Sequence, residues 1–356
     1  MKISLWKKKE YLPILIILAL LFIGYLLFSY GRNIEGEKHR EKVLPLQEGD
    51  TIGVLAPAAK GNLADYNRSI ELLKDLGYQV KLAPSVTKSE GYLAGSDEDR
   101  AKDINDFFKD DTIKAIVCLR GGYGSARILP LLDYKEIAKH PKLFIGFSDI
   151  TALHAAIGEK SHMVTIHGPM LSSFKNYDYT AYTLYLFENG LSGSYPIGTL
   201  PIPKDSPLKT IVPGEASGLL TGGNLSIIAS LCGTPYELDG TGALLFLEDT
   251  DVDAYEVDRL MEQLYQNGLL SRISGIIYGE FTHPRHGRAD WNDFTIDDVL
   301  DHYAKLAGKP AIKNFPAGHG EDNLFLPLGI KATLSAKEGE SASVTLNESY
   351  LKNSEK

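Results

Sequence analysis

Cysteine is scarce in this chain, with two in 356 residues, and so is any excess of positive charge, the formal net charge being -9. Two cysteines cannot make a disulfide framework, so the fold has to be held by buried apolar surface. The composition supplies it: 44% hydrophobic and 23% charged residues are ordinary for a globular protein, and the length allows two domains with cores of their own. The acidic balance argues against a nucleic-acid binder, which shows a basic face. No internal repeat or low-complexity tract is present, which excludes a solenoid and a largely disordered chain. Nor is there a phosphate-cradling loop. Arg120-Gly121-Gly122-Tyr123-Gly124 lacks both the Gly-x-Gly-x-x-Gly spacing and a following Lys-Ser or Lys-Thr, so nucleotide binding is not expected.

One long hydrophobic run is present. Residues 11–30 carry no charge and are rich in Ile and Leu, which matches the ~20 residues that cross a bilayer. Lys2, Lys7, Lys8 and Lys9 precede it, and the bulky Phe28-Ser29-Tyr30-Gly31 offers no small-x-small cleavage site. The expectation is an uncleaved transmembrane signal anchor with the body outside the cytoplasm, a cleaved signal peptide being the alternative. A charged juxtamembrane stretch follows over residues 33–46. Cys118 ends a predicted strand and Cys232 a predicted apolar helix, where buried free thiols are expected, although an external location permits a single bridge.

From residue 47 strand and helix signals alternate, as in an α/β layer fold. Strands are predicted at 51–56, 78–82, 113–119, 143–146 and 163–167, and helices at 64–76 and 97–109. Parallel strands joined by helices gather their functional loops at the carboxyl edge of the sheet, and Pro57, Arg120, Ser148 and His167 fall there. Five prolines between Gly193 and Gly214 read as a linker or an extended crossover. A smaller second α/β domain is expected over residues 215–350, after an N-terminal domain over 47–192. Its predicted strands are 243–247, 273–278 and 311–315, with two more near Ile330 and Val344; its predicted helices are 225–231, 255–267 and 296–306.

Ser148 stands where the apolar run Leu143-Phe144-Ile145 meets Gly146-Phe147-Ser148-Asp149 and an apolar-periodic segment. Strand, sharp turn and helix there present a hydroxyl beside free N–H groups and a positive dipole end, which suits a nucleophile that generates an oxyanion. Ile150 replaces the second glycine of Gly-x-Ser-x-Gly, and a simple helix cap by Ser148 or Asp149 is the competing reading. A serine nucleophile needs a base and an orienting acid. His319, between Gly318 and Gly320 after the strand at 311–315, competes as a base with a plain surface-loop histidine. Glu248 ends an apolar strand and is the better orienter than Asp249, Asp251 and Asp253, because the last two suit the cap of the next helix. The N–H groups of Gly122 and Asp149 are candidates for an oxyanion hole, against a plain glycine turn. His283-Pro284-Arg285-His286 reads as a polar loop, since Pro284 prevents a helical pair of ligands and no third ligand is spaced nearby.

Together Leu119-Arg120-Gly121-Gly122-Tyr123-Gly124, Gly146-Phe147-Ser148-Asp149-Ile150-Thr151-Ala152-Leu153, His167-Gly168-Pro169, Gly222-Gly223-Asn224-Leu225, Leu247-Glu248-Asp249 and Gly318-His319 resemble the LD-carboxypeptidases. These serine peptidases trim murein tetrapeptides, and the microcin C7 self-immunity proteins are related to them. The resemblance covers about residues 48–346. It implies Ser148 as nucleophile, Glu248 as acid and His319 as base, an interdomain active site, a homodimer, and no metal or organic cofactor. The expected reaction is release of terminal D-Ala from peptidoglycan tetrapeptide stems through an acyl-enzyme, with Arg120 a candidate anchor for the substrate carboxylate. Residues 11–30 depart from the cytoplasmic members and favour remodelling of the wall itself. An amide hydrolase of aminoacyl-nucleotide antibiotics and an inactive peptidoglycan-binding protein are the alternatives.

Overall fold

Short apolar runs closed by turns become parallel strands: Thr51–Leu55 (β1), Gln79–Leu82 (β2), Ile113–Cys118 (β3), Leu143–Gly146 (β4) and Thr165–His167 (β5). The computed structural model describes residues 40–175, 179–284, 294–339 and 341–352. Strand order in the first sheet is β5-β4-β3-β1-β2, all parallel. The helix Asp97–Lys109 starts on the Ser96 side chain, which accepts the Asp99 N–H, and has three acids in its first turn. The expected helix at 64–76 is a 3₁₀ turn, Leu63–Tyr66, running into an α-helix, Asn67–Asp75.

The second half forms a mixed sheet. Gly198–Thr199 (β6), Lys209–Val212 (β7), Gly214–Asn224 (β8), Leu244–Thr250 (β9), Gly275–Thr282 (β10) and Ala311–Lys313 (β11) belong to it. Leu326–Leu328 (β12) follows, and then Lys331–Ala336 (β13) and Ser343–Leu346 (β14). β8, β9, β10 and β11 are mutually parallel, while β13, β14, β6 and β7 are added antiparallel at the flanks. Two cores result from the alternation of side chains along β9. Leu244 and Phe246 join the core shared with the first sheet, and Leu245 and Leu247 join the one beneath the helices Ala254–Gln266 and Ile296–Ala307.

Three places differ from the sequence reading. The proline-rich stretch is an edge of the second sheet, because β6 pairs with β14 and β7 with β11. Its prolines lie outside the paired residues, which leaves the ladder N–H groups available. β12 leaves the second half and pairs antiparallel with β5, so the chain stitches its two halves together; Pro327 fits there because β12 is an edge strand. Residues 40–46 are packed against the body: Val43 and Leu46 are buried, and Arg40 pairs with Glu159 at 2.8 Å. The expected transmembrane segment, residues 11–30, lies outside the described residues; among the described ones, no helix is long and apolar enough to cross a membrane. Cys118 is a buried free thiol, and Cys232 is free and half-buried.

Candidate active site

β4 ends at Gly146, and two residues later Ser148 adopts a φ of 63°, in the left-handed region that costs a serine strain. The strained turn lifts the hydroxyl off the strand end, ahead of the helix Thr151–Ser161. The capping reading does not hold for this serine, since no side-chain cap is made at that helix start. Asp149 caps a different helix. Its Oδ2 accepts the Ser125 N–H at 2.8 Å, so its carboxylate secures the far end of the Arg120–Gly124 turn. The strand end is secured by His154, whose Nε2 lies 2.8 Å from the Gly146 carbonyl and whose buried ring is pushed down to about 4. A neutral ring donates that bond.

The glycine turn lies directly over the serine. A Cβ on Gly121 would stand 3.0 Å from Ser148 Cβ and 3.3 Å from its Oγ, so a larger residue here would crowd the serine. Gly122 has a φ of 110° and would meet Ala59 at 2.7 Å if it carried a Cβ. Asp149 stands in the first turn of its helix, where N–H groups have no intrahelical acceptor. Arg120 reaches the Lys60 carbonyl at 3.4 Å and has no ion pair among the described residues. Arg100, which the sequence reading passed over, organises the turn from beneath. It is fully buried, donates to the Pro57 and Gly124 carbonyls at 2.6 and 2.9 Å, and pairs with Asp97. A charged residue on the inward face of an amphipathic helix was its only signal.

The other half supplies an acid and a base already engaged. Glu248, on β9, is fully buried, and its Oε2 lies 2.6 Å from His319 Nδ1. Burial raises the carboxyl of Glu248, while the facing His319 opposes that rise. Burial alone would lower His319, but the charge and hydrogen bond of Glu248 outweigh it and raise the ring above 6.5. The glycine before the histidine has a steric reason, since a Cβ on Gly318, at a φ of 125°, would lie 2.7 Å from Glu248 Oε2. Gly318 N–H donates to Asn323 Oδ1 at 3.2 Å, and Asn323 N–H to Thr183 Oγ1 at 2.9 Å, which ties the histidine loop to the helix Ala181–Ser192.

The two halves meet where these groups lie. Phe147, the residue before Ser148, packs edge-on against the His319 ring at 4.9 Å between centroids. Behind them, Asn224 N–H donates to Thr151 Oγ1 at 3.0 Å, and a Cβ on Gly223 would be 2.5 Å from that same oxygen. The Gly222-Gly223-Asn224 run is therefore a joint between the halves. Asn224 also donates to Asp249 Oδ1 at 2.8 Å, and Asp249 Oδ2 accepts the Ser226 N–H at 2.9 Å, capping the helix Leu225–Leu231. Asp253 is the N-cap residue of the helix Ala254–Gln266, as expected, whereas Asp251 occupies a left-handed turn with a φ of 56°. His167 is a floor residue. Fully buried and pushed well below 6.5, it lies edge-on to Phe246 at 4.9 Å. His283 is described but Arg285 and His286 lie outside the described residues; among the described residues no cluster of His, Cys, Asp and Glu is placed to hold a metal ion.

Comparison with known proteins fits this arrangement. The model of the LD-carboxypeptidase N-terminal domain matches residues 52–168, and that of the C-terminal domain matches 217–334. The chain belongs to the LD-carboxypeptidase family. It is 38% identical over 299 residues to a probable murein peptide carboxypeptidase of Bacillus subtilis strain 168, covering 82% of this chain and 91% of that one. It is 28% identical over 351 residues to the microcin C7 self-immunity protein MccF of Escherichia coli, covering 88% of this chain and 98% of the other. Among solved structures, muramoyltetrapeptide carboxypeptidase from Oxalobacter formigenes superposes with a TM-score of 0.75 at 31% identity, over 84% of this chain and 99% of that one. MccF in complex with glutamyl sulfamoyl guanosine gives 0.78 at 25% identity, over 87% and 99%. The two-domain α/β architecture is thus that of the LD-carboxypeptidases, and the homologues support a carboxypeptidase, a hydrolase of peptide bonds.

Proposed function

We propose that the protein is a serine LD-carboxypeptidase that removes terminal D-Ala from the tetrapeptide stems of peptidoglycan. The observation that carries the reading is the 2.6 Å contact between His319 Nδ1 and the buried Glu248, beside a serine held in a left-handed turn. With Nδ1 engaged by the carboxylate, Nε2 is the nitrogen free to take the Ser148 proton. Ser148 Oγ attacks the carbonyl carbon of the diamino acid. The negative charge moves to the carbonyl oxygen, where the N–H groups of Gly122 and Asp149 receive it, a donor of this kind contributing about 3 kcal/mol. Collapse breaks the C–N bond; His319 returns its proton to the departing D-Ala amine. Water, deprotonated by His319, then cleaves the acyl-enzyme. Arg120 is the candidate partner of the substrate's terminal carboxylate.

A homodimer anchored through residues 11–30, with its body outside the cytoplasm, would meet such stems in the wall. The test is mass spectrometry of a murein tetrapeptide incubated with the enzyme. Free D-Ala is expected with the wild type and none with Ser148→Ala; activity retained by that variant refutes the assignment. The likeness to MccF supports a second reading, hydrolysis of an aminoacyl-nucleotide amide, which cleavage of such an amide without D-Ala release would select. Tetrapeptide binding without turnover would select an inactive peptidoglycan-binding protein.

A further inference from the structure

Glu280 lies on β10, one strand away from Glu248, and its backbone N–H donates to the Ala317 carbonyl at 3.3 Å, at the start of the loop that carries His319. Its side chain fills the space over Gly320, where a Cβ would stand 1.3 Å from Oε2, so the residue after the candidate base has to be glycine for this carboxyl to be present. Oε2 has no hydrogen-bond partner among the described residues, and the residue as a whole is only half-buried. No Lys, Arg or His among the described residues forms an ion pair with Glu280, and its charged neighbours are the acids Asp322, Glu248 and Glu321. Burial first, and then Asp322, push the group up to about 7, against the pull of the Gly320 N–H. A carboxyl placed among acids, beside a candidate base and without a cation, is stabilised by a positive charge brought from outside.

We propose that Glu280 determines specificity by receiving a free ammonium of the substrate, the side-chain amine of the diamino acid whose carbonyl Ser148 attacks. The inference rests on the reading above. In a tetrapeptide the terminal carboxylate calls for a cation such as Arg120, and the side-chain amine calls for an anion. Glu248 is already committed to His319 and Asp322 accepts the Thr180 hydroxyl at 2.6 Å, whereas Oε2 of Glu280, on the strand that bonds the start of the histidine loop, is unengaged. A purely structural role over Gly320 is the competing account, and an amide of the same shape separates the two.

The test compares two tetrapeptides that differ at the third position, one with L-lysine and one with L-norleucine, which keeps the chain and lacks the amine. Binding is measured by calorimetry on Ser148→Ala and on the Ser148→Ala, Glu280→Gln double variant, both as the full chain. Ser148→Ala is expected to favour the lysine peptide by on the order of tenfold or more, as for a hydrogen bond between charged groups, and the double variant to favour neither by more than about twofold. In turnover, Glu280→Gln is expected to raise KM for the lysine peptide. An undiminished lysine preference in the double variant overturns the proposal, as does the absence of any preference in Ser148→Ala. If discrimination appears while the wild type releases no D-Ala, the carboxypeptidase reading fails and the ammonium site stands. If neither peptide binds, both fail.

Discussion

Replacing Glu248 by Gln separates catalysis from stability. The carboxylate is fully buried and lies 2.6 Å from His319 Nδ1, so in the proposed mechanism it fixes the proton on that nitrogen and stabilises the imidazolium that forms as Ser148 is deprotonated. Glutamine has the same shape but presents either a neutral oxygen or an NH₂ group. If the NH₂ group faces the ring, the proton moves to Nε2 and the base can no longer accept from Ser148. An analogous acid-to-amide change in another serine triad lowers kcat by about 10⁴, equivalent to roughly 5.4 kcal/mol at 1.36 kcal/mol per decade. The fold should not suffer in proportion. A buried charge has a large desolvation cost, and its neutral isostere relieves it, so unfolding in urea is expected to show a midpoint equal to or above that of the wild type. His319 should titrate lower, because the carboxylate is what lifts it above 6.5 against burial. In the wild type kcat/KM therefore falls as pH drops through a value above 6.5, where the ring gains its proton and ceases to be a base; in the variant that limb moves to lower pH. D-Ala release followed from pH 5 to 9, with NMR titration of the ring, tests all three. Glu248→Gln retaining more than a tenth of wild-type kcat/KM, with the acidic limb unmoved, would refute the reasoning.

Gly318→Ala places a Cβ 2.7 Å from Glu248 Oε2 at a φ of 125°, and is expected to cost about 1–3 kcal/mol of stability and most of the activity, measured by thermal melts and D-Ala release. Gly121→Ala sets a methyl 3.3 Å from Ser148 Oγ and 3.0 Å from its Cβ, so the serine has to give by a few tenths of an ångström, which should lower kcat measurably with little change in melting temperature. Arg100→Met leaves the Pro57 and Gly124 carbonyls without their buried donor, so chemical denaturation should show a loss of about 3 kcal/mol. A soluble form that starts at residue 47 loses the buried Val43 and the Arg40–Glu159 pair, and should be less stable than one starting at residue 40 by on the order of 2–4 kcal/mol in the same assay.

The strands and helices that were legible in the chain are those whose local pattern and tertiary role agree. Asp97–Lys109 has its Ser96 cap, its acidic first turn and an inward face, and Leu143–Gly146 is an unbroken apolar run between turns. β12 gave no such signal, because three residues with a central proline have no period; they are a strand only because the edge of β5 is unpaired there. β6 and β7 were hidden among prolines for the same reason. Candidate site residues followed a similar rule. Ser148 stands two residues past the end of β4, Glu248 within β9 and His319 six residues past β11; the strand pattern only nominates them beside capping and surface-loop readings, and the ordered set of motifs singles them out. Arg100, Asn323 and Thr183 act from a helix face and a loop, through bonds to residues 24 or more positions away in the case of Arg100 and Gly124, or 140 in that of Thr183 and Asn323.

Local sequence cannot show whether two halves close on one another, and the glycines explain how this chain arranges it. Gly223 lets β8 approach Thr151, the first residue of the helix behind Ser148; Gly121 lets its turn approach Ser148 itself; Gly318 lets the histidine loop approach Glu248. Each is a place where a Cβ would press on a side chain across the contact, Thr151 Oγ1 at 2.5 Å, Ser148 Cβ at 3.0 Å and Glu248 Oε2 at 2.7 Å. Ser148 comes from one half and Glu248 and His319 from the other, and the halves are joined by the approach of Gly223 and Asn224 to Thr151 and by β12 pairing with β5. Ser148 has no local motif of its own beyond its strained turn. Ile150, which stands where Gly-x-Ser-x-Gly has its second glycine, packs its side chain against the first: a Cβ on Gly146 would lie 2.9 Å from it, so this pair admits a large residue on the helix side only because the strand side is glycine.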